Sequence, residues 1–232
     1  MKRFIPLGLM AVFILSALVM ISPTSAKGQG AGLVSSVLNR MEKNRQSLKT
    51  LRANISMEKY NSQLRDSDRY NGVVLYMPGA GRSASVRIEW KSPQHEIIAV
   101  KNGQYQLFRP RLNVVYTGNS NSNRNKAGGM LEMMYMSRQQ LEARFQPLQD
   151  VREETLGGDV STIHLTLVPK GNVGYKYAEV WIDSSGMPVQ TKVVEKNDDT
   201  TTMRLTNMER NTTLSSKDFG IELPADVKVV KG

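Results

Sequence analysis

The stretch from Val86 to Tyr116, VRIEWKSPQHEIIAVKNGQYQLFRPRLNVVY, decides the fold. Val86, Ile88 and Trp90 alternate with Arg87 and Glu89, the period of two expected of a half-buried strand. Ser92-Pro93 punctuates the run, His95 to Val100 is apolar, and Lys101-Asn102-Gly103 carries the Asn-Gly step of a tight hairpin. Tyr105 and Leu107 follow, then Leu112, Val114 and Tyr116. Strands this short and this closely spaced predict an antiparallel meander.

The same rhythm extends both ways. Asn54 to Tyr60 reads as a first strand, and Val73, Leu75 and Met77 alternate up to the turn Pro78-Gly79-Ala80-Gly81. Further on come Ile163, Leu165 and Leu167; Tyr175 to Ile182; the turn Asp183-Ser184-Ser185-Gly186; Pro188 to Lys196; and Thr201 to Met208. Phe219, Ile221 and Leu223 alternate near the end, and Val227 to Val230 is a last short strand. The expectation is about ten or eleven strands.

Two segments change period. After a Gly-rich lead-in, Lys27 to Gly32, the residues Leu33, Val37, Leu38, Met41, Leu48 and Leu51 recur at three- and four-residue steps and predict an amphipathic helix over Leu33–Leu51. A second helix is expected over Met130–Gln146, stopped by Pro147 and preceded by a solvated Asn/Ser-rich loop, Asn119 to Lys126. An apolar sheet face needs a cover and these helices need something to cover, so the fold class is α+β: a curved antiparallel sheet lidded by amphipathic helices.

Composition narrows the function. The 232 residues are 40% hydrophobic and 22% charged, which is globular usage. There is no cysteine, so disulfides, thiolate metal sites and cysteine nucleophiles are excluded. The net charge of +10 is dispersed along the chain, as on a generally solvated basic surface; no nucleic-acid motif accompanies it. Lys2 and Arg3, the apolar run Phe4 to Ile21 and the small residues Pro23-Thr24-Ser25-Ala26 predict a cleaved signal peptide over 1–26, followed by one domain over 27–232.

Catalytic signatures are missing. The glycine pairs lack dinucleotide or P-loop spacing, and there is no Gly-x-Ser-x-Gly elbow. His164 reads as a solvent-facing strand histidine and His95 as a strand-start residue. Glu153-Glu154 and Asp198-Asp199 read as turn carboxylates, and Arg109-Pro110-Arg111 as an exposed strand end. No metal site, no cofactor and no enzymatic step are expected; His95, Glu154 and His164 are the groups an enzyme would have to use.

The second helix is methionine-rich, with Met130, Met133, Met134 and Met136 in its first turns. Methionine adapts to variable apolar shapes, so this helix is either a tolerant core helix or the movable wall of a hydrophobic site, and the polar loop before it favours the lid.

The layout resembles the periplasmic outer-membrane lipoprotein carriers of the LolA type. The resemblance rests on the early helix Leu33–Leu51, Arg87-Ile88-Glu89-Trp90 with Ser92-Pro93, Ile97 to Gly103, Asp183-Ser184-Ser185-Gly186 with Pro188, and Phe219-x-Ile221-x-Leu223-Pro224. It implies an incomplete, unclosed β-barrel whose cavity takes acyl chains of a lipoprotein released by an inner-membrane ABC-type complex and passed to an outer-membrane receptor. Alternation places Val86, Ile88, Trp90, Leu107, Leu165, Val180, Met203 and Leu205 in the cavity wall, with Met130, Met133, Met134 and Met136 in the lid. The family latches its lid with an arginine in an Arg-Pro step before the tryptophan strand. Here Arg82 and Arg87 are near, and neither precedes proline. Arg87 is the latch candidate, although alternation with Val86 and Ile88 points it outward.

The expected role is therefore a monomeric, soluble periplasmic carrier of acylated lipoproteins or lipids. Two rivals keep the sheet and change the job: a LolA/RseB-like sensor that regulates a membrane partner, and a non-lipid scaffold module with a filled core.

Overall fold

The computed structural model describes residues 26–79, 84–119 and 136–231. Helix α1 spans Ala26–Ser47. The first meander follows: β1 Leu51–Asn61, β2 Asp66–Met77, β3 Ser85–Ser92, β4 Glu96–Lys101, β5 Gln104–Arg109 and β6 Val114–Asn119, with a 3-10 turn over Pro110–Leu112. Helix α2, Arg138–Arg144, leads to the second meander: β7 Gln149–Leu156, β8 Val160–Leu167, β9 Tyr175–Asp183, β10 Pro188–Glu195 and β11 Thr200–Arg210. A short β12, Lys228–Lys231, ends the chain.

All twelve strands form one sheet in the order β12-β6-β5-β4-β3-β2-β1-β11-β10-β9-β8-β7. The two meanders join where β11 pairs antiparallel with β1. β12 lies parallel on β6, and every other pairing is antiparallel. β7 and β12 sit at the two ends of the order and do not pair with each other, so the sheet is an open one with two helices, as the α+β expectation required.

Four elements differ from the sequence reading. The first helix begins earlier and ends at Ser47, because Lys49 and Thr50 are bound to Asn211 and Thr212: Lys49 N donates to Asn211 Oδ1 at 2.7 Å and Thr50 Oγ1 to the Thr212 carbonyl at 2.5 Å. The described part of the second helix is seven residues long, with Ser137 and Gln140 forming a reciprocal capping box. Glu153-Glu154 lies within β7; this edge strand is wet on most positions and shows no apolar alternation to read. Phe219, Ile221 and Leu223 form no strand: Phe219 is buried, and Ile221, Leu223 and Val227 pack on Ile97, Phe108 and Val115 across the sheet face away from the helices. The apolar run Phe4 to Ile21 lies outside the described residues. No described helix is long and apolar enough to cross a membrane.

Candidate functional site

Strand register decides which side chains meet. Trp90 pairs with Gly72, Gly72 with Ile55, and Ile55 with Leu205. Met57 pairs with Met203, Met203 with Thr191, Thr191 with Val180, and Val180 with Leu165. Ile88 pairs with Ile98 and Ile98 with Leu107. Side chains of paired residues share a face, so Val86, Ile88, Trp90, Leu107, Leu165, Val180, Met203 and Leu205 all stand on one face of the sheet.

That inner face holds two apolar groups. Ile88, Trp90, Met203 and Leu205 are buried together with Leu51, Ile55, Met57 and Val74, and Val86 and Leu107 pack against them. Leu165 and Val180 belong to a second group over β8 and β9, covered by Val37, Leu38 and Met41 of α1 and by Met136, Leu141 and Phe145 around α2. Met136 is 6% exposed and buried in this group. Met130, Met133 and Met134 lie outside the described residues.

The two helices are held differently. α1 is clamped by the β9–β10 turn. Arg40 Nη1 donates to the Ser184 carbonyl at 3.4 Å, and Asn44 Nδ2 donates to Met187 Sδ at 3.4 Å. The turn itself is braced by Asp183, which accepts from Ser185 and Met187 N–H groups and from Arg210. α2 is tethered at its C-terminal end, where Gln146 N donates to the Val168 carbonyl at 2.8 Å and Lys170 N to the Arg144 carbonyl at 2.9 Å. At its N-terminal end the Arg138 backbone N–H bonds to the Glu42 carboxylate of α1, and Met136 belongs to the same apolar group as Val37, Leu38 and Met41.

Between the helices and the β2–β3 end of the sheet lies a vestibule of about 680 Å³. Its described lining includes Glu42, Arg45 and Leu48 of α1, Tyr76 of β2, Ala84, and Ser137 to Gln140 with Glu142 at α2. Leu48 and Tyr76 belong to the inner apolar group and Ala84 packs on it, so the vestibule floor is lined by the edge of the core. Burial pushes the Tyr76 phenol up to about 12. The rim is charged: Arg45 Nη2 and Nε donate to the Glu42 carboxylate at 2.5 and 3.0 Å, and Arg138 Nε donates to Glu142 Oε1 at 2.8 Å.

Arg45 holds the Glu42 carboxyl down at about 2, against desolvation and with help from Gln46 and the Arg138 backbone N–H of α2. A folded pKa below the unfolded one means that the folded state binds fewer protons. The contribution is present above the ordinary value of 4.5 and lost as pH falls toward about 2. Replacing Glu42 by Gln is therefore expected to cost about 1 kcal/mol at neutral pH, the upper range for a part-exposed pair. In urea unfolding the gap to the native protein should narrow steadily as pH falls from 4.5 toward about 2. A gap independent of pH would remove Glu42 from this role.

Arg87 stands on the opposite face. It pairs in register with Leu75 and Ala99, and its Nη2 meets Glu89 Oε2 at 3.0 Å. This orientation turns it away from the helices, so it does not join the vestibule. His95 is exposed and faces Glu89 Oε1 at 3.2 Å. His164 corrects the sequence reading. It lies on the outer face but is 1% exposed, because the tilted Trp181 ring packs with its centroid 4.7 Å away and a bulge in β7 folds the Asp150 carbonyl to 3.3 Å from Nδ1. Glu154 accepts from Trp181 Nε1 at 2.9 Å. None of these groups lines the vestibule. The sequence reading missed Glu42, Arg45 and Glu142, whose positions on wet helix faces look like ordinary solvation.

The family model for the outer membrane lipoprotein carrier protein LolA matches residues 46–222. Among solved structures, an uncharacterized conserved protein from Thermus thermophilus is similar at a TM-score of 0.56 and 14% identity, covering 86% of this chain and 99% of that one. MucB is similar at 0.53 and 13%, covering 87% of this chain and 66% of its own. A putative outer membrane lipoprotein-sorting protein domain from Vibrio parahaemolyticus is 15% identical over 83% of this chain and 96% of that one, at a TM-score of 0.44. At such identities the first two likenesses speak for the fold alone and the third carries no argument. No curated protein matches significantly. Because the family model spans well over half of the sequence, this chain belongs to the LolA family of outer membrane lipoprotein carrier proteins.

Proposed function

We propose that the protein is a soluble periplasmic carrier that shields the acyl chains of lipoproteins against the inner face of its open sheet. The observation that carries this reading is the single apolar face running from Leu107 to Leu165, with helices over its β8–β9 side and a vestibule of about 680 Å³ at its mouth. That volume falls in the range of about 300–1,000 Å³ common to small-molecule sites. No chemical step is involved.

Thermodynamics favours exchange over simple filling. Each exposed acyl methylene costs about 0.8 kcal/mol in water. Over β8 and β9 this wall is already covered by Leu38, Met41, Met136 and Leu141. Cargo would replace helix contacts with acyl contacts, so its net affinity is a difference between two apolar coverings. A small difference allows release. The segment from Met136 to Phe145 is the moving part, because α1 is clamped at both Arg40 and Asn44. Cargo would arrive from an inner-membrane ABC-type releasing complex and leave to an outer-membrane receptor, with the carrier monomeric between them.

Native mass spectrometry of the mature protein purified from the periplasm tests the reading. A co-purified triacylated peptide or lipid, and uptake of an uncharged acyl dye after delipidation, are expected. An apo mass together with no dye uptake would mean a filled core and overturn it.

A further inference from the structure

We propose that Thr191 forms a carbonyl-binding subsite on the inner face, its hydroxyl donating a hydrogen bond to the ester or amide oxygen at the head of a bound acyl chain. The proposal rests on the carrier reading and adds a polar contact to its apolar wall. Two sources share that chemistry: the ester of an acylglycerol and the amide of an N-acylated peptide.

Thr191 is 0% exposed, and its Oγ1 has no hydrogen-bond partner among the described residues. Two other buried threonines are satisfied within the fold. Thr50 Oγ1 donates to the Thr212 carbonyl at 2.5 Å, and Thr162 Oγ1 donates to the Glu154 carbonyl at 2.6 Å. β10 pairs with β9 on one side and β11 on the other, so the ladders occupy the main chain around Thr191. A hydroxyl enclosed without a partner costs free energy, and such a group in a native fold calls for a reason.

Its position supplies one. Thr191 pairs with Met203 of the first apolar group and with Val180 of the second, so it stands on the inner face at the seam between them. Val193, two residues further along the same face, packs on both groups. From Thr191 a row of paired side chains runs through Met203 and Met57 to Tyr70, whose ring meets Trp90 edge-on. Four strand spacings, about 19 Å, separate β10 from β3 along this row. An extended acyl chain with its carbonyl on Thr191 follows it. The second group is covered by Met136, Leu141 and Phe145, the segment that cargo would displace. Opening there turns the hydroxyl toward the ligand, and a carbonyl oxygen satisfies it without breaking an existing bond.

Binding of three uncharged probes of one chain length to the delipidated protein would be measured by displacement of an acyl dye. They are a monoacylglycerol, its N-acyl amide analogue and the matching alkyl ether, which has no carbonyl. Relative to the ether, the ester and amide should lose about three- to tenfold in Thr191→Val, the scale of one hydrogen bond, and Thr191→Ser should restore the native ratio. Thr191→Val should also melt higher than the native protein, because the orphan hydroxyl is gone. An isotope-labelled ester carbonyl bound to the native protein should absorb at lower infrared frequency than in a hydrocarbon solvent, a readout that needs no variant. Tighter binding of the ester identifies the acylglycerol as the source, and tighter binding of the amide identifies the N-acylated peptide. An ester-to-ether ratio unchanged in folded Thr191→Val, a lowered melting point of that variant, or an unshifted carbonyl band overturns the subsite and leaves the carrier reading standing. Failure of all three probes and of the dye to bind overturns both.

Discussion

Trp90→Ala is expected to lower the unfolding free energy by about 3–5 kcal/mol, the usual cost of emptying a buried aromatic position. Trp90 is 2% exposed, and its ring meets Tyr70 edge-on with centroids 5.8 Å apart, a geometry worth a further increment beyond area. Its register partner is Gly72, where an added Cβ would lie 2.2 Å from the Glu89 carbonyl oxygen, so the neighbouring strand has no side chain to fold into the hole. For a domain of this size each kcal/mol shifts Tm by about 2–4 °C, so a fall of roughly 6–20 °C is expected in thermal unfolding. The same cavity opens on the proposed acyl wall. Uptake of an acyl dye should therefore survive the substitution or strengthen, although stability falls. A shift of Tm below about 2 °C would show that the ring is not packed as described.

Gly186→Ala is the second large effect. Gly186 has φ +85, and a Cβ there would stand 2.2 Å from the Arg40 carbonyl oxygen and 2.8 Å from Met41 N. An L-residue at positive φ costs about 1–2 kcal/mol by itself. The clash adds to it, because α1 must back away from the β9–β10 turn and the Arg40–Ser184 and Asn44–Met187 bonds go with it. A total of about 3 kcal/mol or more is expected, with chemical denaturation as the readout. Gly158→Ala is the internal control: Gly158 has φ +82 and nothing within 4 Å of an added Cβ, so it should show only the conformational cost of about 1–2 kcal/mol. Equal losses at the two positions would mean that α1 is not seated on the turn.

Much of the inner wall was readable from alternation, and the reason is burial on one side only. β1 alternates strictly, with Leu51, Ala53, Ile55 and Met57 inside and Arg52, Asn54 and Ser56 outside. β3 keeps Ile88 and Trp90 in and Arg87 and Glu89 nearer solvent. Where both faces are covered or both are wet, the period disappears. β8 buries Thr162, Ile163, His164 and Leu165 in succession, so His164 reads as polar-face and turns out to be enclosed. β7 is wet on most positions and reads as turn. Phe219 to Leu223 alternates like a strand because Phe219 is buried and Ile221 and Leu223 meet the outer sheet face, yet the segment pairs with none of the described strands.

The vestibule was less readable still. Glu42 and Arg45 are three apart on α1, and Arg138 and Glu142 four apart on α2, spacings that stabilise any exposed helix. The two pairs come to one mouth once both helices bury their apolar residues, Leu38 and Met41 of α1 and Leu141 of α2, in the same group over β8 and β9.

By itself, then, the amino-acid sequence determined the strand rhythm, the two amphipathic covers, the absence of thiol chemistry and the common face of the eight wall residues. These follow from local periodicity and composition, which act over a few residues. The tertiary structure decided the joining of β11 to β1, the parallel return of β12 onto β6, the clamp of the β9–β10 turn on α1 and the meeting of the Glu42–Arg45 and Arg138–Glu142 pairs at one vestibule. Each of these depends on residues far apart in the chain, such as Arg40 and Gly186 or Glu42 and Arg138. Their contact energies exist only after the chain entropy of bringing them together has been overcome by burial of the shared apolar face.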